Sequence, residues 1–293
     1  MTEDKLKSMA SISFISRLPT TNAVDEEAIP RVVEDEEGED VGILADTPSA
    51  KDRVPTTSCI CQQKIYLSGE PYRALVVHSS AHDNSGNDNH GEIQGAKWAK
   101  GKVGSALKFN GSTDRVVIPD SDSLYAKKAW TVTSWIFVNK SEVGYGHILG
   151  KRSGAGTNYC FRTDSNGVGW DAYFRLGGWK GAWRIGKAKK GEWVYITATY
   201  DGKNTIQIYE NGEEIGKADV GKPPPQETSE VHIAGWQGNT SELLDGLLGE
   251  VAVFNVALSP EDMKDLMKKG FKGILDVAVL DELATSWADI KSQ

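Results

Sequence analysis

The chain has 293 residues, with 33 Lys and Arg against 41 Asp and Glu and a formal net charge of −8 at pH 7. With no basic excess to neutralise phosphates, the composition argues against nucleic acid as a partner. No run of about 18 apolar residues occurs, so the sequence predicts no membrane span. Glycine outnumbers proline by 31 to 10, and nine Trp and nine Tyr accompany it, a composition typical of an all-β sandwich or barrel.

Residues 1–70 differ in character from the rest of the chain. Between residues 24 and 40, nine acids stand against Arg31 alone, and this segment carries the whole negative excess. Four prolines and the absence of sustained periodicity predict that residues 1–70 are mostly disordered. The amino-terminal stretch only faintly imitates a signal peptide, because its apolar part is short, rich in Ser and interrupted by Arg17.

Beyond the acidic region, short apolar segments alternate with turns. The clearest pattern is EWVYITATYDGKNTIQIYENG at 192–212, a meander of strands with apolar residues on both faces. Asp201-Gly202 and Asn211-Gly212 supply the positive-φ residues that tight reversals require. Strands are predicted at 105–110, 115–119, 130–138, 147–151, 159–163, 171–176, 182–185, 193–200, 205–210, 213–216, 230–234 and 247–254.

One helix is predicted, at residues 260–269. Ser259 is placed to cap its amino terminus, Pro260 suits the first helical position, and Gly270 ends it. Its apolar stripe, which we expect to pack against the sandwich, consists of Met263, Leu266 and Met267.

Six pieces of the chain together resemble a known family. They are DNSGNDNHG (83–91), GSALKFNGSTDRVVIPDSDSL (104–124), WTVTSWIFV (130–138), GEWVYITATYDG (191–202), IYENGEEIG (208–216) and GLLGEVAVFNVALSPEDM (246–263). In this order they resemble the laminin-G-like jelly-roll domains of the concanavalin A-like lectin/glucanase superfamily. The resemblance implies a two-sheet antiparallel jelly-roll sandwich, to which the sequence adds one short C-terminal helix. Together they divide the chain into an acidic region (1–70), the jelly-roll domain (71–258) and a helix with a tail (259–293).

The resemblance also implies a structural calcium ion. Carried over, its ligands are Asp83 and Asn87 in the D-x-S-G-N loop and Glu250 in the last long strand, with Asp114 as a weaker candidate. Such oxygen ligands suit calcium. Where the family reads D-E-V, however, this chain has Gly-Glu-Val, one carboxylate fewer. The alternative is that the 83–87 segment forms only an Asx-type turn.

The first strand of the family pattern is left open. Relatives begin with an apolar strand that holds a Trp, but no Trp precedes Trp98 here. Either 41–45 or 74–78 could take that place. Residues 78–95, after the second of these candidates, are turn residues almost throughout.

Tryptophans beside Gly-rich turns are the candidate ligand platform. An exposed indole can stack on a sugar ring, although for each of these tryptophans core packing is the competing interpretation. The ligand-binding candidates are Trp170, Trp179, Trp183 and Trp236, with polar partners Arg175 and Gln237 and, near the same loops, Arg184 and Asn239. Trp135 and Trp193, deep in strands, are assigned to the core.

Catalysis is not expected from this sequence. Retaining glycosidases need two carboxyl groups about 5–5.5 Å apart across the scissile bond. Alternate residues of one strand could supply them, but no strand here has such a set. Motifs for serine hydrolysis, zinc or nucleotides do not occur either. The sequence and the resemblance together predict a non-catalytic carbohydrate-binding module with a glycan or glycoprotein ligand, outside the cell or on its surface. The alternative is a protein–protein adhesion or structural module of a surface assembly.

Overall fold

A computed structural model describes part of the chain: residues 64–67, 70–73, 80–139, 144–154, 156–167, 169–222, 224–226, 228–238 and 240–271. The chain divides into two compact units, of which the smaller is Leu18–His78. In that unit, β1 (Lys64–Leu67) and β2 (Glu70–Arg73) pair as an antiparallel hairpin. Both candidate first strands and the tail after residue 271 lie outside the described residues. The predicted domain boundaries stay predictions.

The larger unit is a sandwich of two antiparallel sheets. Its strands are β3 (Ser80–Ala81), β4 (Gly91–Gln94), β5 (Lys97–Lys100), β6 (Ser105–Asn110), β7 (Arg115–Ile118), β8 (Trp130–Val138), β9 (His147–Arg152), β10 (Thr157–Thr163), β11 (Trp170–Arg175), β12 (Trp179–Ile185), β13 (Trp193–Tyr200), β14 (Thr205–Glu210), β15 (Glu213–Asp219), β16 (Val231–Ile233) and β17 (Asp245–Phe254), with a 3-10 helix at Asp122–Leu124. One sheet has eight described strands, in the order β12-β11-β10-β9-β16-β7-β4-β3. The other has seven, in the order β15-β14-β13-β8-β17-β6-β5. The predicted antiparallel sandwich is confirmed.

The predicted meander forms as the sequence indicates. Strand β13 pairs with β14 on one side and with β8 on the other, all antiparallel. Asp201 Oδ1 accepts hydrogen bonds from three backbone N–H groups of the following turn, those of residues 203–205. Gly202 has φ 78° and Asn211 has φ 52°, the left-handed conformations that these reversals demand.

The main core lies between the two sheets. Alternate residues of each strand point into it, as period-2 geometry requires. On β13 these are Val194, Ile196, Ala198 and Tyr200, all buried in one cluster with residues of both sheets. The largest side chains buried there include Trp130, Trp170, Tyr159, Phe109 and Phe161.

A second apolar cluster covers the outer face of the seven-stranded sheet. Helix α1, which begins at residue 260 and is described to residue 271, lies there with Met263 and Leu266 buried. Ser259 caps the helix: its Oγ accepts a bond from Asp262 N at 3.3 Å, and its own N–H donates to Asp262 Oδ2 at 3.0 Å. The predicted helix, its cap and its packing stripe are confirmed.

Several details differ from the sequence-based expectations; strands β3 and β5, for example, were not predicted. Trp135 and Trp193 do not lie between the sheets; they belong to the cluster under α1. The segment predicted as continuous turn contains strand β4, which pairs with β7 although Ile93 is its single partly buried apolar residue. Pairing with an established neighbour therefore outweighs the weak local pattern. Within the described residues, no helix is both long and apolar enough to cross a membrane.

Candidate functional site

The outer face of the eight-stranded sheet carries a cluster of polar and aromatic side chains on β9 to β12. On β10, Phe161 points into the core, so Cys160 and Arg162 point outward. The register places Cys160 opposite Tyr173 and Arg162 opposite Asp171. Adjacent strands thereby bring these outward-facing groups side by side.

A β-bulge adds β9 to this arrangement. Strict alternation would place His147 and Arg152 on opposite faces of the sheet. The pairing of β9 with β10 shifts register between Phe161 and Arg162, and both Ile148 and Leu149 enter the core. The extra residue turns His147 to the same face as Arg152.

Glu242, from the loop between β16 and β17, is the centre of the cluster. Its Oε2 accepts hydrogen bonds from Arg152 Nη1 at 3.1 Å and Arg162 Nη1 at 3.2 Å. It also accepts from Trp236 Nε1 at 2.8 Å and lies 3.0 Å from His147 Nε2. The Glu242 side chain is 22% exposed, against 11% and 9% for the two arginines. One carboxylate therefore fixes two largely desolvated cations.

The aromatic part of the site surrounds Arg152. Its guanidinium lies 3.9 Å from the ring centroid of Trp236 and 5.3 Å from that of Trp179. Trp183 stacks on Tyr173 with centroids 5.0 Å apart. Trp179 and Trp183 are nevertheless 49% and 41% exposed, and so present open indole surface.

Gly181 makes this stacking possible. A Cβ at this position would lie 2.5 Å from the Cβ of Tyr173 and 2.9 Å from Cζ2 of Trp183. Any larger residue would push the two rings apart, so the glycine between the exposed tryptophans has a packing role.

The charges of the cluster shift its titration. Burial raises the pKa of Glu242, but the hydrogen bond and charge of His147 and the charges of Arg162 and Arg152 outweigh burial and lower it to about 2. Burial raises the pKa of Asp171, and the bond it accepts from Arg184 N and the neighbouring charge of Arg162 only partly offset this.

Beneath Glu242, a thiol and an imidazole are paired. Cys160 Sγ lies 3.3 Å from His147 Nδ1, and both side chains are fully buried. Burial lowers the pKa of His147, but its contacts with Cys160 and Glu242 raise it overall. Burial raises the pKa of Cys160, but His147 and the nearby guanidinium groups lower it overall. This pair aims His147 Nε2 at Glu242.

Three atoms in the site lack a hydrogen-bond partner within the described part of the chain. They are Arg152 Nε, Arg162 Nε and Gln237 Oε1, all buried. Buried polar atoms are almost always paired, by protein, water or ligand. Such unfilled hydrogen-bonding capacity is what a polar ligand or ordered water would use.

The structure brings most of the predicted ligand residues together here. Trp179, Trp183 and Trp236 lie in the cluster, and Arg175 Cζ is 5.3 Å from the Trp179 ring centroid. Gln237 N donates to Arg152 O at 3.3 Å. Arg184, named from the same loops, is exposed at the edge of the sheet, and Asn239 lies outside the described residues.

Trp170 is a correction to the prediction. It is fully buried in the core between the sheets, with its ring centroid 6.1 Å from that of Phe161. Its position next to a Gly-rich turn in the sequence resembled that of the exposed tryptophans. However, β11 directs it inward, where it cannot touch a ligand.

The predicted calcium ligands do not come together. Asp83 closes its own loop, accepting bonds from Ser85 N at 2.9 Å, Ser85 Oγ at 2.7 Å and Asn89 N at 3.0 Å. Asn87 is exposed in that loop and donates to Ser85 Oγ. Asp114 and Glu250 lie outside this loop. The Asx-turn alternative therefore describes the geometry of this loop.

Asp114 sits in the turn before β7, where it accepts a bond from Thr113 Oγ1. Glu250 lies on the other sheet and accepts a bond from Phe271 N at 3.1 Å. Among the described residues, no three His, Cys, Asp or Glu side chains are grouped to hold a metal ion. The four predicted residues do not fit a single calcium site.

The residues at the centre of the site were not predicted from the sequence. Arg152, Arg162, Tyr173, His147 and Glu242 were not singled out. One pattern could have drawn attention to β10: Arg162 interrupts an apolar strand, where a charge is costly unless it is paired. The bulge and the loop that delivers Glu242 leave no comparable pattern.

The sandwich is similar to solved binding domains. The binding domain of Paraclostridial Mosquitocidal Protein 1 has a TM-score of 0.53 at 15% identity, over 65% of this chain and 50% of that one. The receptor binding domain of the botulinum neurotoxin C/D mosaic serotype has a TM-score of 0.53 at 14% identity, over 65% and 48%. The chain thus spans about half the length of these two domains. At such identities the likeness shows the fold.

A third similar structure is matched over nearly its whole length. Domain 4 of AbnA, a GH43 extracellular arabinanase from Geobacillus stearothermophilus, was solved in complex with arabinotriose. Its TM-score is 0.50 at 20% identity, over 63% of this chain and 91% of that one. No curated protein matches the sequence significantly.

A family model settles the relationship. The Laminin_G_3 model, described as concanavalin A-like lectin/glucanases superfamily, matches residues 110–264. This span is more than half of the 293 residues and includes the strands that carry the candidate site. The chain therefore belongs to the Laminin_G_3 family of the concanavalin A-like lectin/glucanase superfamily.

Proposed function

We propose that this protein is a non-catalytic carbohydrate-binding module and that the outer face of its eight-stranded sheet binds the sugar. The observation that carries the proposal is the pair of exposed indoles, Trp179 and Trp183, beside the buried network of Glu242. Indole faces stack on the apolar faces of sugar rings, while fixed guanidinium and carboxylate groups bond hydroxyls.

Rigidity supports this role. The ring of Trp183 is held by Tyr173, and the guanidinium of Arg152 donates to Tyr173 OH at 2.8 Å. Groups already held in place lose little conformational entropy on binding, so a modest contact area suffices for a ligand. The AbnA domain, which was solved with arabinotriose, gives independent support through its shared fold.

The site also supports the absence of catalysis. Glu242 accepts four hydrogen-bonding contacts at one oxygen and has a pKa of about 2, the opposite of a general acid. The Cys160–His147 pair has the composition of an activated nucleophile, but both side chains are fully buried, out of reach of a substrate. We infer that these groups hold the site in shape.

A glycan array followed by calorimetry tests the function. We expect saturable binding of at least one oligosaccharide without its hydrolysis, and a loss of about tenfold or more in affinity for Trp179→Ala and Trp183→Ala. Phe137→Leu, an aromatic change on the outer face of the other sheet, is the matched control and should leave binding unchanged. Unaltered affinity in both folded tryptophan variants would remove this face as the platform.

The alternative is a protein–protein adhesion module, since exposed aromatics also serve protein interfaces. No glycan bound on the array, together with a protein captured by the wild type and not by Trp179→Ala, would favour it. We place the protein outside the cell or on its surface, by analogy with the extracellular arabinanase.

We propose separately that the calcium ion implied by the family resemblance is not held by Asp83, Asn87, Asp114 and Glu250. Because Asp83 and Glu250 lie in different surroundings, we expect the melting temperature to be the same in millimolar calcium and in excess EGTA. A clear calcium-dependent rise in melting temperature would show a site that these side chains do not form as they are placed.

A further inference from the structure

The strand that carries the exposed tryptophans lies in a strongly basic segment. From residue 175 to residue 190 the sequence has six Lys and Arg and no Asp or Glu. They are Arg175, Lys180, Arg184, Lys187, Lys189 and Lys190. The whole chain carries −8, so this segment reverses the sign of the charge locally. Of the six, Lys189 is engaged by Glu210 at 3.4 Å.

Cations also outnumber acids within the candidate site. Three guanidinium groups, those of Arg152, Arg162 and Arg175, face two carboxylates. Glu242 binds the first two, and Asp171 Oδ2 lies 3.5 Å from Arg162 Nε. Both acids are therefore committed to buried arginines.

Arg175 is left without an acidic partner. Its Nη1 donates to the carbonyl of Gly154 at 3.3 Å, and no carboxylate of the described residues lies within salt-bridge distance of it. It is exposed, and its guanidinium lies beside the exposed ring of Trp179. A ligand stacked on that ring would have, at its edge, a guanidinium group that no carboxylate of the described residues neutralises.

We propose that the saccharide bound at this face is acidic, with carboxylate groups on its rings. This inference rests on the proposed carbohydrate-binding function and names its ligand class. The planar guanidinium matches the two oxygens of a carboxylate, and charge-assisted bonds are stronger than those to neutral hydroxyls. Lys180 and Arg184, exposed on the edge strand β12, and Lys187, exposed just after it, add a field that attracts an anion over about 10 Å at moderate salt.

Galacturonic acid oligosaccharides and their methyl esters form a matched pair of probes, because they share the ring and differ in charge. By calorimetry we expect the acid form to bind about tenfold more tightly than the ester. This preference should shrink severalfold when NaCl rises from about 0.05 M to about 0.5 M. Polyglutamate, a polyanion without sugar rings, should bind far more weakly than either.

Single substitutions test which residues cause the preference for the acid form over the ester. Arg175→Gln should bring the ratio of acid to ester affinity close to one, and Lys180→Gln should lower it about twofold. Lys268→Gln makes the same change of charge on the exposed side of α1 and should leave the ratio unchanged. A ratio that survives Arg175→Gln in a folded protein would overturn the assignment.

The outcomes separate this inference from the proposed function. Equal binding of acid and ester, both lost in Trp179→Ala, would refute the acidic ligand and keep the sugar site. Polyglutamate binding as tight as that of the oligosaccharide would show a general polyanion surface and overturn the inference. No binding of any saccharide on the array would overturn both proposals.

Discussion

Both outer faces of the sandwich carry aromatic side chains, but one face is covered by a helix and the other is open to solvent. On the seven-stranded sheet, Trp135, Tyr195 and Tyr209 lie beneath helix α1. On the eight-stranded sheet, Trp179 and Trp183 are open to solvent. Aromatic content alone therefore does not mark a binding surface. A face can bind a ligand only where no other element covers its aromatic side chains.

The carboxylates of the two faces show the same contrast. Glu242 is held by arginines, and its pKa is about 2. Glu250, at φ 48° in a bulge of β17, is buried against Phe271, and burial raises its pKa to about 7, with the bond from Phe271 N only partly offsetting it. The surroundings of Glu242 stabilise its ionised form, whereas the surroundings of Glu250 destabilise its ionised form.

Removing the charge from the open face should have the largest effect on stability. Glu242→Gln leaves Arg152 and Arg162 largely desolvated without their counter-ion, so we expect a loss of about 4 kcal/mol in the free energy of unfolding at pH 7. Urea denaturation measures it. The control is Glu230→Gln, which removes the 42% exposed partner of His232 on the same sheet and should cost less than about 1 kcal/mol.

The same group fixes how stability depends on acid. The folded pKa of Glu242 lies below its ordinary value of 4.5, so its contribution is present above about pH 4.5 and is lost as pH falls towards 2. Wild type should lose stability in this window more steeply than Glu242→Gln. Parallel pH profiles would mean that Glu242 is not paired as described.

Truncation of a buried apolar side chain of helix α1 should have the next largest effect on stability. Leu266→Ala empties part of the covered cluster, and we expect a loss of about 3 kcal/mol. Trp183→Ala, on the open face, should lose only about 1 kcal/mol, because its ring is partly exposed and its main contact is the stack on Tyr173. Equal losses in thermal or urea unfolding would erase the distinction between the faces.

Glu250 should have a smaller effect on stability than Leu266, with the opposite sign to that of Glu242. Its folded pKa of about 7 exceeds the ordinary 4.5, so wild type loses stability as pH rises from about 4.5 to about 7. Glu250→Gln keeps an acceptor for Phe271 N without the charge. At pH 8 it should be more stable than wild type by about 2 kcal/mol, and at pH 4 the two should agree.

The exposed residue Glu261, on the same helix, provides the control for that comparison. Glu261→Gln should show the wild-type dependence on pH between 4.5 and 7, because it leaves the buried carboxyl group of Glu250 in place. A Glu250→Gln protein that is less stable than wild type at pH 8 would contradict the described burial.

The elements that were predictable rest on local patterns. The β13–β14 hairpin follows from period-2 alternation and from Asp201-Gly202, and helix α1 follows from its cap at Ser259 and its apolar stripe. Both depend on residues close together in the sequence. Period and turn chemistry therefore sufficed for these two elements.

The site depends on relations that are not local. His147 reaches it through a bulge, and Glu242 arrives in a loop that is separated from Arg152 by 90 residues. Trp170 and Trp179 both neighbour glycines in the sequence, yet one is buried and the other open. Tertiary packing, and not local sequence, determines which sheet the helix covers and so which face stays open.

Hydroxyl-radical footprinting with and without a bound oligosaccharide tests the central claim most directly, because it reads the exposure of each aromatic side chain. We expect protection of Trp179 and Trp183 on the open face and no change at Phe137 on the other. Saturated binding with unchanged oxidation of both tryptophans would contradict the assignment of the eight-stranded face as the binding surface.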